Sequence, residues 1–217
     1  MPRQVKQLRP LPILVSEAKS CLTLRRILDI VVSAITLTCL SPLLSAIAIV
    51  IKLDSLGPVI FRQVRVGMGF RRFEICKFRT MVVDASARGP AITVGADSRV
   101  TRVGRVLRRW KLDELPQLIN VLKGDMSLVG PRPEVPKYVE LFREAYEHIL
   151  SVRPGLTDPA SIAYIAESEI LARAFDPERE YITTILPRKI RLSGEYLRER
   201  SLTGDISLLF KTLGRLF

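Results

Sequence analysis

The chain has 217 residues, enough for one domain with its own core, and a formal net charge of +12. A single histidine, His148, argues against a histidine-built metal centre or a Ser–His–Asp triad and reads as a surface or helix-packing residue. Three scattered cysteines (Cys21, Cys39 and Cys76) make no disulfide framework and point to a reducing compartment. The charge is uneven: from Lys52 to Lys111 there are 14 Lys or Arg against 4 Asp or Glu, a local balance of +10. Such a block suits phosphate-rich ligands or an anionic membrane surface. Nucleic acid is disfavoured as a partner by the few aromatics and by the lack of zinc-finger spacing or an RNA-binding aromatic motif.

In chain order, residues 1–20 are basic and carry Pro2, Pro10 and Pro12, and read as a flexible leader. Residues 21–217 read as one domain. Arg25 and Arg26 precede an uncharged apolar run from Ile30 to Ile51, with Asp29 just outside it. As one straight helix this run would span about 33 Å, against a bilayer core of about 30 Å. Three readings compete. A signal peptide cut after Ala46-Ile47-Ala48 is opposed by the apolar run continuing through Ile49, Val50 and Ile51. A transmembrane span is kinked at Ser41-Pro42, where proline removes the amide that would bond the Thr38 carbonyl at a cost of ~3 kcal/mol. Thr38, Ser41 and Ser45 are placed to satisfy the freed backbone groups. Basic residues flank both ends, however, with Lys52, Arg62, Arg65, Arg71 and Arg72 following the run, and the positive-inside rule draws both ends to the cytoplasm. A re-entrant hairpin broken at Ser41-Pro42 meets that demand, each half reaching roughly 15–18 Å, to mid-bilayer. On the residues alone, hairpin and kinked span stand level.

Val59–Val64 and Phe73–Phe78 read as two strands joined across Gly67 and Gly69. Lys77, Arg79 and Thr80 close the second strand, either as a solvated edge or as a diphosphate clamp with a bidentate arginine and a point-charge lysine. Residues 84–98 read as a mobile loop and a candidate lid. Val100–Trp110 places apolar residues at helical spacing opposite an arginine face. Next comes the adjacent acid pair Asp113–Glu114, ahead of a short apolar helix over Leu115–Leu122 that tolerates Pro116 in its first turn. Asp113 falls at or near the N-cap, where the helix dipole favours an ionised carboxylate. Such a carboxylate can attack phosphorus. Glu114 could hold Mg²⁺, which takes one or two carboxylates plus phosphate oxygens. The plain alternative is a capping Asp followed by a first-turn Glu.

Lys123-Gly124 ends that helix. In the loop that follows, Pro131 and Pro133 rigidify the backbone around Arg132, as suits a ligand contact. Glu134–Leu150 reads as one helix, 153–164 as a turn-rich loop and then a strand, and 166–174 as a short helix. Glu178–Arg200 reads as mostly helical despite Pro187 and Gly194. In the tail, Ile206, Leu209, Phe210, Leu213, Leu216 and Phe217 share one face, with Lys211 and Arg215 off it. This is either a core helix or an interfacial amphipathic one.

The stretches LRRILDI, Ser41-Pro42, IVIKLDSLGPVIFRQVRVG, KFRTM, DSRVTRVGRVLRRWKLDELPQLINVLKGDMSLVGPRPE, RPGLT and LTGDISLLFKTLGRL occur here in that order. Over residues 22–217 the chain thereby resembles the monotopic phosphoglycosyl transferases, bacterial sugar transferases of the undecaprenyl-phosphate type. The resemblance implies a helix-rich α+β fold. It would have a re-entrant membrane helix-break-helix over about 22–51, then a cytoplasmic catalytic part, 52–217, with a short β-hairpin and amphipathic interfacial helices. It implies Asp113 as nucleophile and Glu114 as Mg²⁺ ligand. Arg132, between Pro131 and Pro133, would lie in the nucleotide-diphosphate site, with Lys77 and Arg79 offsetting charge on the transferring group.

The activity implied is transfer of a sugar 1-phosphate from a UDP-sugar to polyprenyl (undecaprenyl) phosphate through an aspartyl–phosphosugar intermediate. The place implied is the cytoplasmic face of the bacterial inner membrane, among its lipids, at the first membrane step of glycoconjugate assembly. Many members read PGxTGWAQ where this chain has Asp158, Pro159 and Ser161 in place of Gly, Trp and Gln, so the sugar is left open, as are the glycan pathway and a homodimer. The rival reading is a non-catalytic basic membrane adaptor that binds anionic lipid, which gives no account of the acid pair.

Overall fold

The computed structural model describes residues 15–85, 89 and 92–216. Residues 1–14 of the stretch read as a leader lie outside that range, and its last residues, from Val15, are helical. Two helices come first, α1 (Val15–Cys39) and α2 (Ser41–Asp54). The antiparallel hairpin β1 (Ile60–Val66) and β2 (Arg72–Phe78) follows, with Ile60 opposite Phe78 and Val66 opposite Arg72. Then come α3 (Arg102–Arg109), a 3₁₀ turn (Leu112–Glu114), α4 (Gln117–Lys123) and β3 (Ser127–Val129). After α5 (Pro136–Leu141) and α6 (Arg143–Ile149), β4 (Gly155–Thr157) pairs in parallel with β3. The rest is helical: α7 (Pro159–Ala163), α8 (Glu167–Ala172), α9 (Pro177–Glu180), a π turn (Tyr181–Ile185), α10 (Leu186–Arg198) and α11 (Leu202–Leu216). This is the helix-rich α+β architecture expected.

The break between α1 and α2 has a local chemical cause. Pro42 has no N–H to give the Thr38 carbonyl, and the Ser41 hydroxyl donates to that carbonyl instead, at 2.8 Å. Thr38 donates to the Ala34 carbonyl and Ser45 to the Ser41 carbonyl, each at 2.9 Å. The two limbs, Thr23–Cys39 and Ser41–Asp54, meet at a bend of 63°. No single helix among the described residues is long and apolar enough to cross a membrane, whereas the bent pair is so only when taken together. Ile27, Val31, Ile35, Leu43, Ile49 and Val50 are exposed on the pair. Ile47 and Ile51 turn inward and pack with Phe78 and Leu107.

The first limb is fastened to the rest of the chain by buried and half-buried polar contacts. Arg26 donates to the Val121 and Leu122 carbonyls at 2.6 and 2.9 Å, closing the C-terminal end of α4. Asp29 is buried and accepts from the Ser127 hydroxyl at 2.7 Å and the Leu128 amide at 3.0 Å. Arg25 pairs with Asp205 of α11 at 2.9 Å. The main core, with Ile75, Leu118, Val121, Met126, Leu128, Val129 and Tyr196, lies where β2, α4, β3 and α10 meet.

Four expectations change. The helix read over 115–122 starts at Gln117, with Pro116 at its N-cap position. The segment after Gly124, read only as a loop, contains β3; three residues are too few for periodicity, and their partner, β4, is distant in sequence. The helix read over 134–150 breaks at Phe142, whose ring packs against two separate apolar clusters. The stretch read over 153–164 as a loop and then a strand places β4 first and the helix α7 after it. In the tail, Leu208 and Leu209 pack on the main core, while Ile206, Phe210 and Leu213 are exposed. The loop read as mobile over 84–98 lies partly outside the described residues. Its described parts are tied by Arg99 to Asp97 at 2.6 Å and to the Ala85 and Ile92 carbonyls.

Asp29→Ala would leave the Leu128 amide and Ser127 hydroxyl without their buried acceptor, at a cost of about 1–3 kcal/mol. The thermal midpoint of the purified protein should fall by roughly 2–10 °C. An unchanged midpoint would mean that this contact does not hold α1 to β3.

Candidate active site

Three distant segments meet at one carboxylate. Lys77 lies near the end of β2, Glu114 in the 3₁₀ turn, and Arg132 in the proline-bracketed loop after β3. Lys77 Nζ is 2.9 Å from Glu114 Oε1. Arg132 grips the same carboxylate with both terminal nitrogens, Nη1 reaching Oε2 at 3.0 Å and Nη2 meeting Oε1. Burial alone would raise the Glu114 carboxyl, but Arg132 and Lys77 outweigh it and hold the group well below the usual carboxylate range. In return Glu114 holds the Arg132 guanidinium protonated. Burial pushes the Lys77 ammonium down, with Glu114 opposing.

Asp113 has the opposite environment. Burial first, and then the charge of Glu114, push its carboxyl above the usual range, against the pull of Lys77, Arg108 and Lys111. Its Oδ1 is buried and has no hydrogen-bond partner. This corrects the expectation that Asp113 caps a helix: it sits inside the 3₁₀ turn ahead of α4. Two neighbouring carboxylates thus have their acidities pushed apart, one firmly ionised and the other poorly stabilised as an anion. A poorly stabilised anion is the more reactive nucleophile.

The supporting contacts explain the assembly. Lys111, in a left-handed conformation at φ 53°, turns the chain from α3 into the acid pair. Asn120 accepts from the Cys76 amide at 2.9 Å and donates to the Glu74 carbonyl at 2.7 Å, fastening α4 to β2 so that Lys77 faces Glu114. The loop around Arg132 is fixed at its neighbours: the Pro131 carbonyl accepts from the Gly155 amide at 3.0 Å, and the Pro133 carbonyl from Arg65 at 3.1 Å. Arg108, read as one of a solvated arginine face, is half-buried and bonds Thr80 at 2.8 Å and Thr93 at 3.1 Å. Burial lowers its pKa, and the nearby Asp113 charge opposes that. Its one sequence signal is its place in the last turn before the acid pair.

The structure does not bring Arg79 into this group. Its guanidinium is buried and donates to the Leu56 carbonyl at 2.6 Å and to the Ser55 carbonyl at 2.7 Å, just past the end of α2. Arg79 lies one residue beyond β2, so the strand's alternation no longer ties its direction to that of Lys77. Ser41 and Pro42 belong to the helix break.

No group of three or more His, Cys, Asp or Glu side chains able to hold a metal is found among the described residues. Within the acid pair Glu114 is kept ionised with both oxygens meeting Lys77 or Arg132, and Asp113 Oδ1 is the unpartnered acceptor that a hard cation, completed by phosphate oxygens and a shift of those cations, would use.

The family model for "Bacterial sugar transferase" matches residues 20–217. The chain belongs to this family. It is 42% identical over 195 residues to the UDP-N-acetylgalactosamine-undecaprenyl-phosphate N-acetylgalactosaminephosphotransferase of Aeromonas hydrophila, covering 88% of this chain and 43% of that protein. It is 42% identical over 198 residues to the undecaprenyl-phosphate glucose phosphotransferase of Komagataeibacter xylinus, covering 88% of this chain and 35% of that one. A UDP-glucose:undecaprenyl-phosphate glucose-1-phosphate transferase of Caulobacter vibrioides is 38% identical over 192 residues, 87% of this chain and 68% of its own length. The chain therefore spans less than half the length of the first two.

Within this bacterial sugar transferase the segment at Asp158 has a clear local role. Asp158 is fully buried, caps α7 by accepting from the Ser161 amide at 2.8 Å, and takes the Ser193 hydroxyl at 2.7 Å. Pro159 fills the first helical position, where its missing N–H costs nothing.

The raised Asp113 carboxyl gives a stability test. A carboxyl raised on folding binds more protons folded than unfolded, so its contribution falls as pH rises above the ordinary value of 3.8. Asp113→Asn should therefore raise the thermal midpoint at pH 7, and the gain should shrink as pH falls toward 4. A gain that is absent at pH 7, or independent of pH, would contradict the buried, poorly stabilised carboxylate.

Proposed function

We propose that the protein transfers a sugar 1-phosphate from a UDP-sugar to polyprenyl (undecaprenyl) phosphate, the first membrane step in building a bacterial glycoconjugate. The observation that carries this reading is the acid pair itself: a raised Asp113 carboxylate with a free buried oxygen, beside a Glu114 clamped by Lys77 and Arg132. The names of the relatives support it, since each couples a sugar phosphate transfer to undecaprenyl phosphate.

In this mechanism an Asp113 oxygen attacks the β-phosphorus of the UDP-sugar. The bond between that phosphorus and the bridging oxygen breaks, and UMP leaves with the electron pair. The sugar phosphate stays on Asp113 as an acyl phosphate. A phosphate oxygen of the lipid then attacks the same phosphorus, the bond to Asp113 breaks, and the lipid-linked diphosphosugar departs with Asp113 restored. Arg132 and Lys77 supply charge for the diphosphate, sharing themselves between it and Glu114, so catalysis is largely positioning and electrostatics. Mg²⁺ held by Glu114 and the substrate phosphates would neutralise charge on the transferring group. An adaptor role leaves this arrangement without purpose.

The bent helix pair, its exposed apolar faces and the basic flanks favour a re-entrant hairpin entering from the cytoplasmic side of the inner membrane. With the native cysteines replaced, single cysteines near residues 20 and 56 should both escape labelling from outside intact cells. Labelling of only one of them would mean a true span.

The covalent step is tested by exchange. Labelled UMP should enter UDP-sugar with no lipid acceptor present, because the first half-reaction is complete without it. Asp113→Asn should reduce that exchange by about 10³-fold or more. Glu114→Gln should also be severely impaired, with partial recovery at high Mg²⁺. Exchange that requires the acceptor would favour direct transfer and reassign Asp113 as a binding group.

A further inference from the structure

Glu134 lies two residues after Arg132, is 9% exposed, and takes no part in the acid pair. Its carboxylate is nonetheless heavily bonded. Oε1 accepts from Arg65 Nη1 at 3.1 Å and from the Val135 amide at 2.8 Å, and Oε2 accepts from the Tyr181 hydroxyl at 2.5 Å. Burial alone would raise this carboxyl; Arg65, Lys189 and Tyr181 outweigh it and keep it below the usual range.

The partners of Glu134 converge on the backbone around Arg132. Arg65 Nη1 also donates to the Pro133 carbonyl at 3.1 Å, and the Val66 amide donates to the Glu134 carbonyl at 3.0 Å. Arg65 is itself aimed by Gln63, whose Oε1 accepts from Nη2 at 2.7 Å and from Nε at 3.2 Å. Tyr181 comes from the π turn, a geometry that recurs at functional sites, and its ring lies 4.9 Å from that of Tyr138. Strand β1 thus reaches the loop on one side and the turn before α10 on the other, with Glu134 between them. The Arg132 guanidinium bonds Glu114 and the Leu156 carbonyl, so this set meets Arg132 through its neighbouring peptides.

We propose that Glu134, with Arg65 and Tyr181, is a positioning set for Arg132: it fixes the proline-bracketed loop so that the guanidinium is aimed at the diphosphate of the nucleotide sugar. The inference rests on the reading of Arg132 as a diphosphate contact given under Proposed function. A contact misplaced by about 1 Å can cost on the order of 10²-fold, so a rigid brace at the arginine's own peptide neighbours has a measurable consequence.

The probe is UDP, whose dissociation constant is measured by calorimetry on the full-length protein at fixed Mg²⁺, which removes any dependence on the sugar. Glu134→Gln should weaken UDP by about tenfold, and Tyr181→Phe, which keeps the ring beside Tyr138 and removes only the hydroxyl, by about threefold. Arg65→Lys should recover part of what Arg65→Ala loses. The deciding measurement is the double-mutant cycle: in an Arg132→Ala background, Glu134→Gln and Tyr181→Phe should each change UDP affinity by less than about twofold, because the group they act through is gone. A purely structural role would instead lower the thermal midpoint and weaken UDP equally in both backgrounds, and that result overturns the inference. So does unchanged UDP affinity in both Glu134→Gln and Tyr181→Phe while Arg132→Ala weakens it. If Arg132→Ala alone leaves UDP affinity intact, the diphosphate role of Arg132 fails, and the inference with it.

Discussion

The Glu114 carboxylate, held between Lys77 and Arg132, is the contact around which the rest is arranged. Removing three charges from water is unfavourable unless geometry and pairing compensate. Here compensation requires β2, the 3₁₀ turn and the loop after β3 to arrive together, so much of the fold can be understood as bringing them there. Asn120 holds α4 against β2, Asp29 holds α1 against β3, and the β3–β4 pair holds the arginine loop. The arrangement also separates two adjacent acids: the cations that keep Glu114 ionised leave Asp113 buried and only partly compensated.

The arginines divide into distinct physical jobs, which changes the meaning of the basic block. Arg26 and Arg79 donate to carbonyls at or just past the C-terminal ends of α4 and α2, where helical carbonyls lack intrahelical partners. Arg65 braces a loop, Arg99 folds back on Asp97, and Arg25 pairs with Asp205. Part of the positive charge is therefore taken up by contacts within the protein. What remains outward includes Arg102, Arg105 and Arg109 on α3, beside an exposed Val106 and Trp110. The acid pair faces cations, and the first two helices show apolar side chains outward.

Some of this was legible in the residues because its cause is local. The break at Ser41-Pro42 follows from one missing N–H, and the hydroxyls that repair it are neighbours in sequence. The β1–β2 hairpin follows from two short runs about a glycine turn, and the fixed backbone of Arg132 from its two prolines. The acid pair stood out by adjacency and by the basic company around it. Other features depended on partners far along the chain. Nothing near Lys77 and Arg79 says that one meets Glu114 while the other turns back on Ser55 and Leu56. Three-residue β3 is a strand only because β4 pairs with it, and the helix break falls at Phe142, whose ring packs on two clusters built from distant residues.

The sequence by itself determined where the backbone must bend, turn or stiffen, because proline, glycine and short hydroxyl side chains act on the peptide groups beside them. It also determined which residues could carry phosphate chemistry. Only the tertiary structure decided the state of those residues. Burial and the adjacent Glu114 charge raise Asp113, Glu114 is lowered by Arg132 and Lys77 brought from 18 and 37 positions away, and Glu134 becomes a brace because Arg65 and Tyr181 converge on it. Desolvation and long-range pairing are properties of an environment, and an environment exists only once distant segments have packed.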